Sequence, residues 1–201
     1  VVGARLGHCL FYEPAYYLSH PLEILFVWHG GLASHGAAIA IVVGLWLFSR
    51  KHKKPFLWIF DRVVITVALG GMFIRLGNLA NSEIFGHPTN LPWAFIFERE
   101  NLIPRHPTQI YEALSYFSLF VLLMFFYFKT KIAEKQGFLF GLFLICLFGA
   151  RFVIEFFKEN QVEFEQGMLL NMGQWLSIPF ILAGVALIFY ALKQKQATVA
   201  G

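Results

Sequence analysis

The stretch Gly137–Phe157, GFLFGLFLICLFGARFVIEFF, decides what kind of protein this is. A helix that crosses the hydrocarbon layer of a bilayer needs about 20 mostly apolar residues. This stretch supplies them, with only Arg151 and Glu155 charged. The two are four residues apart, which places them one above the other on a single helix face. An ionisable side chain inside a membrane costs at least a few kcal/mol, so each one present requires a partner or a task. Two readings stand here: an intrahelical ion pair that lets both residues sit in the membrane, or a site.

Working outward, the same length and apolarity recur at Ala33–Ser49, Phe56–Leu76, Pro107–Phe128 and Leu169–Leu192. A shorter apolar run, Val1–Tyr12, reads as the tail of a further span. It opens without an initiator Met, and it has neither the basic start nor the small-residue cleavage site of a signal peptide. The expectation is that the first part of the natural protein is missing. The fold class is thus all-α, a polytopic membrane helical bundle with five full spans plus a partial N-terminal one. Residues 1–201 are expected to form a single integral membrane domain.

Composition agrees. The chain has 201 residues, 58% hydrophobic and 14% charged, with 24 Phe; its mean hydropathy is +0.62. Soluble domains carry roughly 25% charged residues. This surplus of apolar side chains suits a lipid bilayer and excludes a disordered chain, a disulfide scaffold and a nucleic-acid binder. Cys9 and Cys146 lie in apolar runs and read as small core residues. His35, His87 and His106 lack metal-ligand spacing, so neither a metal nor another cofactor is expected.

The cations orient the stack. Arg50, Lys51, Lys53, Lys54, Arg62, Lys129, Lys131, Lys135, Lys193 and Lys195, ten of the 16 Lys and Arg, fall on alternate connections. The positive-inside rule places those connections and the C-terminus in the cytoplasm. The acids lie mostly on the other side: Glu163 and Glu165 join the outer group, whereas Asp61 and Glu134 are inner. An outward-facing polar site follows. Two outer connections exceed plain turns. PAYYLSHPLEILFVW, Pro14 to Trp28, suits a short interfacial helix with aromatics at headgroup depth. Residues 80–105, with Pro88, Pro92 and Pro104, read as an outer-face arm or mobile lid.

Four polar clusters lie toward the outer side. In RLGNLANSEIFG, Arg75 and Asn78 share a helix face, Asn81 follows one turn on, and Glu83 and Gly86 stand where the helix yields to the arm. The plain alternative is a polar helix end in which Glu83 neutralises Arg75. ARFVIEFF supplies Arg151 and Glu155. If Arg151 faced Arg75, two guanidiniums would converge, an arrangement that suits an anion between them; phosphate matches the guanidinium fork. WHGGLASHGA places His35 at a span entry among glycines, either as a hydrogen-bonded interfacial residue or as a base. RHPTQIYEAL sets Gln109 and Glu112 on one face, with Tyr111 as an interfacial anchor and His106 exposed.

Taken together and in this order, GARLGHCLFY, HGGLASHGA, RLGNLANSEIFG, RHPTQIYEAL, GARFVIEFF and MGQWLSIPFI make the chain resemble the bacterial prolipoprotein diacylglyceryl transferases over nearly its whole length. It departs from that pattern at Ile74, at Leu79 and Ala80, and at Leu147, where the family often has Tyr. The resemblance implies that it is N-terminally truncated relative to the family. The resemblance implies a multi-pass protein of the bacterial inner membrane. It would transfer the diacylglyceryl group of phosphatidylglycerol to the lipobox cysteine thiol of prolipoproteins at the outer leaflet, forming a thioether and releasing glycerol 1-phosphate. It also implies roles: His35 as thiol-activating base, and Arg75 and Arg151 as phosphate-binding electrophiles. Asn78, Asn81, Glu83 and Gly86 would shape the donor pocket, and Glu155 would orient Arg151. Arg5, Gln109, Tyr111 and Glu112 would be secondary supports. A thiol pKa lowered by the arginines is the alternative to a histidine base.

A transporter or anion channel with an arginine-lined path is the competing function. It predicts polar residues continuing to the cytoplasmic side and, commonly, internal repeats, and neither is visible. A purely structural partner protein would not need an Asn/Arg/Glu/Gly cluster at a helix-to-arm junction.

Overall fold

The structure, a computed structural model, describes residues 1–159 and 170–194. Leu169 as the start of the last span, Glu163 and Glu165 as outer acids and Lys195 as an inner cation therefore lie outside the described residues. The chain divides into two compact units, Val1–Ile59 and Phe60–Gly201.

The first unit is built on α1 (Val2–Phe11) and α3 (Ser34–His52). Their backbones touch where both carry glycine: a Cβ on Gly7 would lie 2.7 Å from the Cα of Gly36. Small residues at such a crossing let helices approach closely in a membrane, where apolar burial gives no drive to associate. The Pro14–Trp28 segment folds as a short helix, α2 (Pro14–Ser19), followed by 3-10 turns at Pro21–Leu25 and Val27–His29. Its large apolar side chains, Leu18, Leu22, Leu25 and Trp28, stand exposed, as an interfacial segment requires. In the last turn of α3, Arg50, Lys51 and His52 complement the negative end of the helix dipole.

The second unit contains most of α4 (Phe56–Ala80), the arm, α5 (Thr108–Lys129), α6 (Phe138–Ile154) and α7 (Met172–Lys193). Four helical segments among the described residues are long and apolar enough to cross a membrane: α4, α5, α6 with its 3-10 extension to Phe157, and α7. Their outward residues, such as Phe73, Leu114, Leu182 and Phe189, are exposed. Water would penalise such a surface, whereas lipid does not. The apolar core sits at one end, where Val64, Ile65 and Ala68 of α4 meet Leu119 and Leu123 of α5, Leu139 and Phe143 of α6, and Ala191 of α7. The same end holds a long-range cap. The carboxylate of Asp61, only 1% exposed, accepts hydrogen bonds from Gly137 N at 2.7 Å and Phe140 N at 2.8 Å. It thereby satisfies donors of the first turn of α6, which have no partner within their own helix.

The opposite end gathers the C-terminus of α4, the N-terminus of α5, the C-terminus of α6 and the N-terminus of α7. An Asn171–Gln174 capping box starts α7. The fold is mostly helical; within it the arm carries a two-residue antiparallel ladder, β1 (Phe95–Ile96) with β2 (Pro104–Arg105). Gly86 N donates to His106 O and His87 N to Phe157 O, both at 2.9 Å, and Thr89 N donates to Pro104 O at 2.9 Å. Backbone pairing fixes both ends of the segment to the ends of the helices.

Candidate functional site

The polar end of the second unit is organised around Arg75, in the last turns of α4. Its Nη1 donates to Asn78 Oδ1 at 3.1 Å. Asn78 Nδ2 donates to Glu83 Oε1 at 2.8 Å, and Asn81 Nδ2 reaches the same oxygen at 3.3 Å. The spacing in RLGNLANSE therefore builds one connected chain, Arg75–Asn78–Glu83–Asn81. The asparagine donors, Asn78 foremost, hold the Glu83 carboxyl below the usual glutamate range. Glu83 does not pair with Arg75 directly. The carboxylate on Arg75 is that of Glu112, with Oε2 at 2.9 Å from Nε. It makes a close charge pair rather than a linear hydrogen bond, as neither atom has a hydrogen-bond partner.

The turn after α4 is strained. Ser82 and Ile84 both take positive φ, 58° and 60°, and a β-branched residue there is a genuine outlier. Two buried side chains of α5 hold it in place: Gln109 Nε2 donates to Glu83 O at 2.7 Å, and Thr108 Oγ1 to Ile84 O at 3.0 Å. Strain of this kind persists only where the surroundings over-determine it, and it clusters at functional sites. Gly86 then passes through a gap too small for a side chain. A Cβ there would lie 2.6 Å from His106 Cβ and 2.8 Å from Thr108 Cγ2.

Arg151 lies one turn before the end of α6. Its Nε is buried without a hydrogen-bond partner among the described residues, which leaves a donor available to a ligand. Tyr116 is buried one turn beyond Glu112 on α5, with its ring against Gly71 of α4. The expected pairing of Glu155 with Arg151 is not found among the described ion pairs. The α-helix ends at Ile154 and Glu155–Phe157 continue as a 3-10 turn; Glu155 N still donates to Arg151 O, but the carboxylate takes another partner. Glu155 Oε2 instead lies 3.5 Å from Lys158 Nζ. Its carboxylate also rests where a Cβ on Gly173 would meet it, at the N-terminus of α7, an end that attracts negative charge.

Three residues that the sequence did not single out complete this end. Lys158, 4% exposed, donates to Glu112 Oε1 at 2.9 Å. Arg105 pairs with Glu159 at 2.8 Å and stacks over Phe85. Tyr116 is the third. Partners 46 and 54 residues apart leave no local signal. Tyr111, expected as an anchor, accepts from Trp93 Nε1 at 2.9 Å and contacts His106 Nδ1 at 3.2 Å, which joins the arm to α5.

In the first unit, His35 is exposed in the first turn of α3. It is flanked by the rings of Tyr12 and Phe11, at 5.7 and 5.5 Å between centroids. Arg5 is buried, and its guanidinium donates to main-chain carbonyls of Glu23 at 2.6 Å, Ile24 at 3.1 Å, Gly30 at 2.7 Å and Gly31 at 3.3 Å. It also packs over the Tyr17 ring. Its donors go to chain shape, so a part in holding substrate does not follow from its contacts. Among the described residues no group of three His, Cys, Asp or Glu could hold a metal ion.

A family model described as prolipoprotein diacylglyceryl transferase matches residues 1–190. The chain is 55% identical over 97% of its length to the phosphatidylglycerol–prolipoprotein diacylglyceryl transferase of Tolumonas auensis, of which it covers 76%. To the enzyme of the same name from Chloroherpeton thalassium it is 51% identical, with 98% of this chain and 74% of the relative aligned. To that from Cupriavidus pinatubonensis it is 41% identical, with 97% and 71% aligned.

Proposed function

The chain belongs to the prolipoprotein diacylglyceryl transferase family, and from that premise we propose how its polar end performs the reaction. The enzyme transfers the diacylglyceryl group of phosphatidylglycerol to the lipobox cysteine thiol of prolipoproteins. It works in a bacterial membrane that it crosses several times. Sulfur attacks an sp³ glycerol carbon: a C–S bond forms, the C–O bond to phosphate breaks, and glycerol 1-phosphate departs while the thiol proton passes to a base. The barrier falls if the sulfur is a thiolate and the departing phosphate is stabilised.

Arg75 and Arg151 are the phosphate ligands of this reading. The observation that carries it is the buried Nε of Arg151, without a hydrogen-bond partner among the described residues. In a site shielded from water, a guanidinium fork on a leaving phosphate is worth far more than in solution. Asn78, Asn81, Glu83 and Gly86 shape the donor pocket, and Gln109 and Thr108 keep their turn in place. An apolar groove of about 220 Å³ between α4 and α5, lined in part by Met72, Leu76, Ile110 and Leu114, suits an acyl chain. His35 is the base that takes the thiol proton, whose pKa in a free cysteine is about 8.5.

The cation bias supports five full spans and a partial one, an outward-facing site and a cytoplasmic C-terminus. Incubating the purified protein with phosphatidylglycerol and a lipobox peptide tests the site assignment. Wild type adds the mass of the diacylglyceryl group to the peptide; Arg75→Ala and Arg151→Ala each abolish the gain. If both variants bind the lipid and turn over normally, the clamp is wrong. A His35→Gln variant with near-normal turnover removes His35 as base and leaves thiolate stabilisation to the arginines.

A further inference from the structure

Lys158 follows the 3-10 turn that ends α6, in a segment pinned by its backbone to the arm. Gly86 and Lys158 form an isolated antiparallel bridge, flanked by the bond from His87 N to Phe157 O at 2.9 Å. The ammonium is thus delivered from a fixed point into a buried place, and it meets Glu112 Oε1 at 2.9 Å. Glu112 is fully buried, and its second oxygen stands 2.9 Å from Arg75 Nε. Arg75 Nη1 in turn is engaged by Asn78.

A carboxylate left alone with an arginine takes the bidentate fork, two parallel contacts that use up both partners. Lys158 occupies one of the two carboxylate oxygens, so Glu112 holds Arg75 by Nε alone. Glu155 Oε2 lies 3.5 Å from the same ammonium, so two cations face two carboxylates, and Lys158 takes up charge of Glu112 that would otherwise fall on Arg75. We infer that Lys158 is a positioning residue for Arg75: by holding one oxygen of Glu112 it keeps that carboxylate from taking the whole guanidinium fork and leaves the rest of the fork to the lipid phosphate. This rests on the reading of Arg75 as a phosphate ligand.

The test compares Lys158→Arg, Lys158→Met and the double variant Lys158→Met/Glu112→Gln, with KM for phosphatidylglycerol, KM for the lipobox peptide, kcat and thermal midpoint measured for each. Loss of one charge at this range predicts that Lys158→Met raises KM for phosphatidylglycerol about tenfold, while KM for the peptide stays put. Lys158→Arg stays within about threefold of wild type, since the charge survives. The double variant regains most of the lipid KM, because deleting the carboxylate releases Arg75 from the fork. A purely structural lysine would shift the thermal midpoint and leave the lipid KM of the folded enzyme where it was.

The inference is overturned if Lys158→Met folds and leaves the lipid KM unchanged, or if the double variant folds as well as wild type yet shows no recovery. Should Lys158→Met alone fail to fold, the charge-balanced double variant and Lys158→Arg decide the matter by the same criteria. The underlying reading fails separately: Arg75→Ala would then leave lipid binding intact. With Arg75→Ala defective and Lys158→Met normal, only the role of Lys158 falls.

Discussion

Replacing Asp61 by alanine should destabilise the second unit without touching its chemistry. The carboxylate accepts from two backbone amides of another helix, at 2.7 and 2.8 Å, in a place 1% exposed to solvent. Alanine leaves both amides unpaired. Loss of an N-cap alone costs about 1 kcal/mol, and each buried amide left unsatisfied costs about 1–3 kcal/mol. Water reaching the first turn of α6 would offset part of this. The expected loss is roughly 3–5 kcal/mol. Asparagine presents one acceptor oxygen and turns an N–H toward the other amide, so Asp61→Asn should lose about 1–3 kcal/mol. Reversible unfolding in mixed micelles, followed by far-UV circular dichroism, measures both. The ratio kcat/KM per folded molecule should not change, because the polar cluster occupies the other end of the helices. An Asp61→Ala protein within about 0.5 kcal/mol of wild type would refute the capping account.

Other outcomes follow from the polar end. Gln109→Leu removes the donor that holds Glu83 O at 2.7 Å. It should cost about 1–3 kcal/mol and lower turnover more than Thr108→Val, which frees only Ile84 O; a thermal midpoint and a peptide assay on each variant check the order. Gly86→Ala has no room for its Cβ and should lose about 1–3 kcal/mol by overpacking, read as a lower thermal midpoint. For pH, the Glu83 carboxyl is held below the usual range by Asn78 and then Asn81. A depressed pKa contributes fully above the ordinary glutamate value and is lost as pH falls through the lowered one. In Asn78→Ala the acid limb of phosphatidylglycerol binding should therefore move to higher pH. An unmoved limb would show that Glu83 titration does not govern binding.

The sequence made the helices of the second unit legible, because runs of about 20 apolar residues have few alternatives. It also made the Arg75–Asn78–Asn81–Glu83 chain legible, since i, i+3 spacing on a helix is a contact rule. For Arg151 and Glu155 the same spacing did not give an ion pair, because the carboxylate lies by Lys158 and the start of α7 at Gly173, partners that no helical spacing encodes. Glu112 was read as a secondary support, yet its two cations come from 37 residues before it and 46 after. No local pattern encodes such a meeting. Asp61 looked like one more charge at the inner surface. Its real partners are amides more than seventy residues onward, and main-chain groups carry no signature in sequence. Three prolines mark the arm, but the pairing of Gly86 with Lys158 is invisible until the helix ends are placed.

Arg5 has a consequence of a different kind. Every residue has a carbonyl, so a guanidinium that grips the chain at positions 23, 24, 30 and 31 specifies a path and is indifferent to the side chains along it. The aromatic surface around Leu22, Leu25 and Trp28 can then be rewritten for a thicker, thinner or differently charged bilayer while its course over α1 stays the same. Grafting that segment between distant relatives should succeed wherever the arginine travels with it, and fail where it does not.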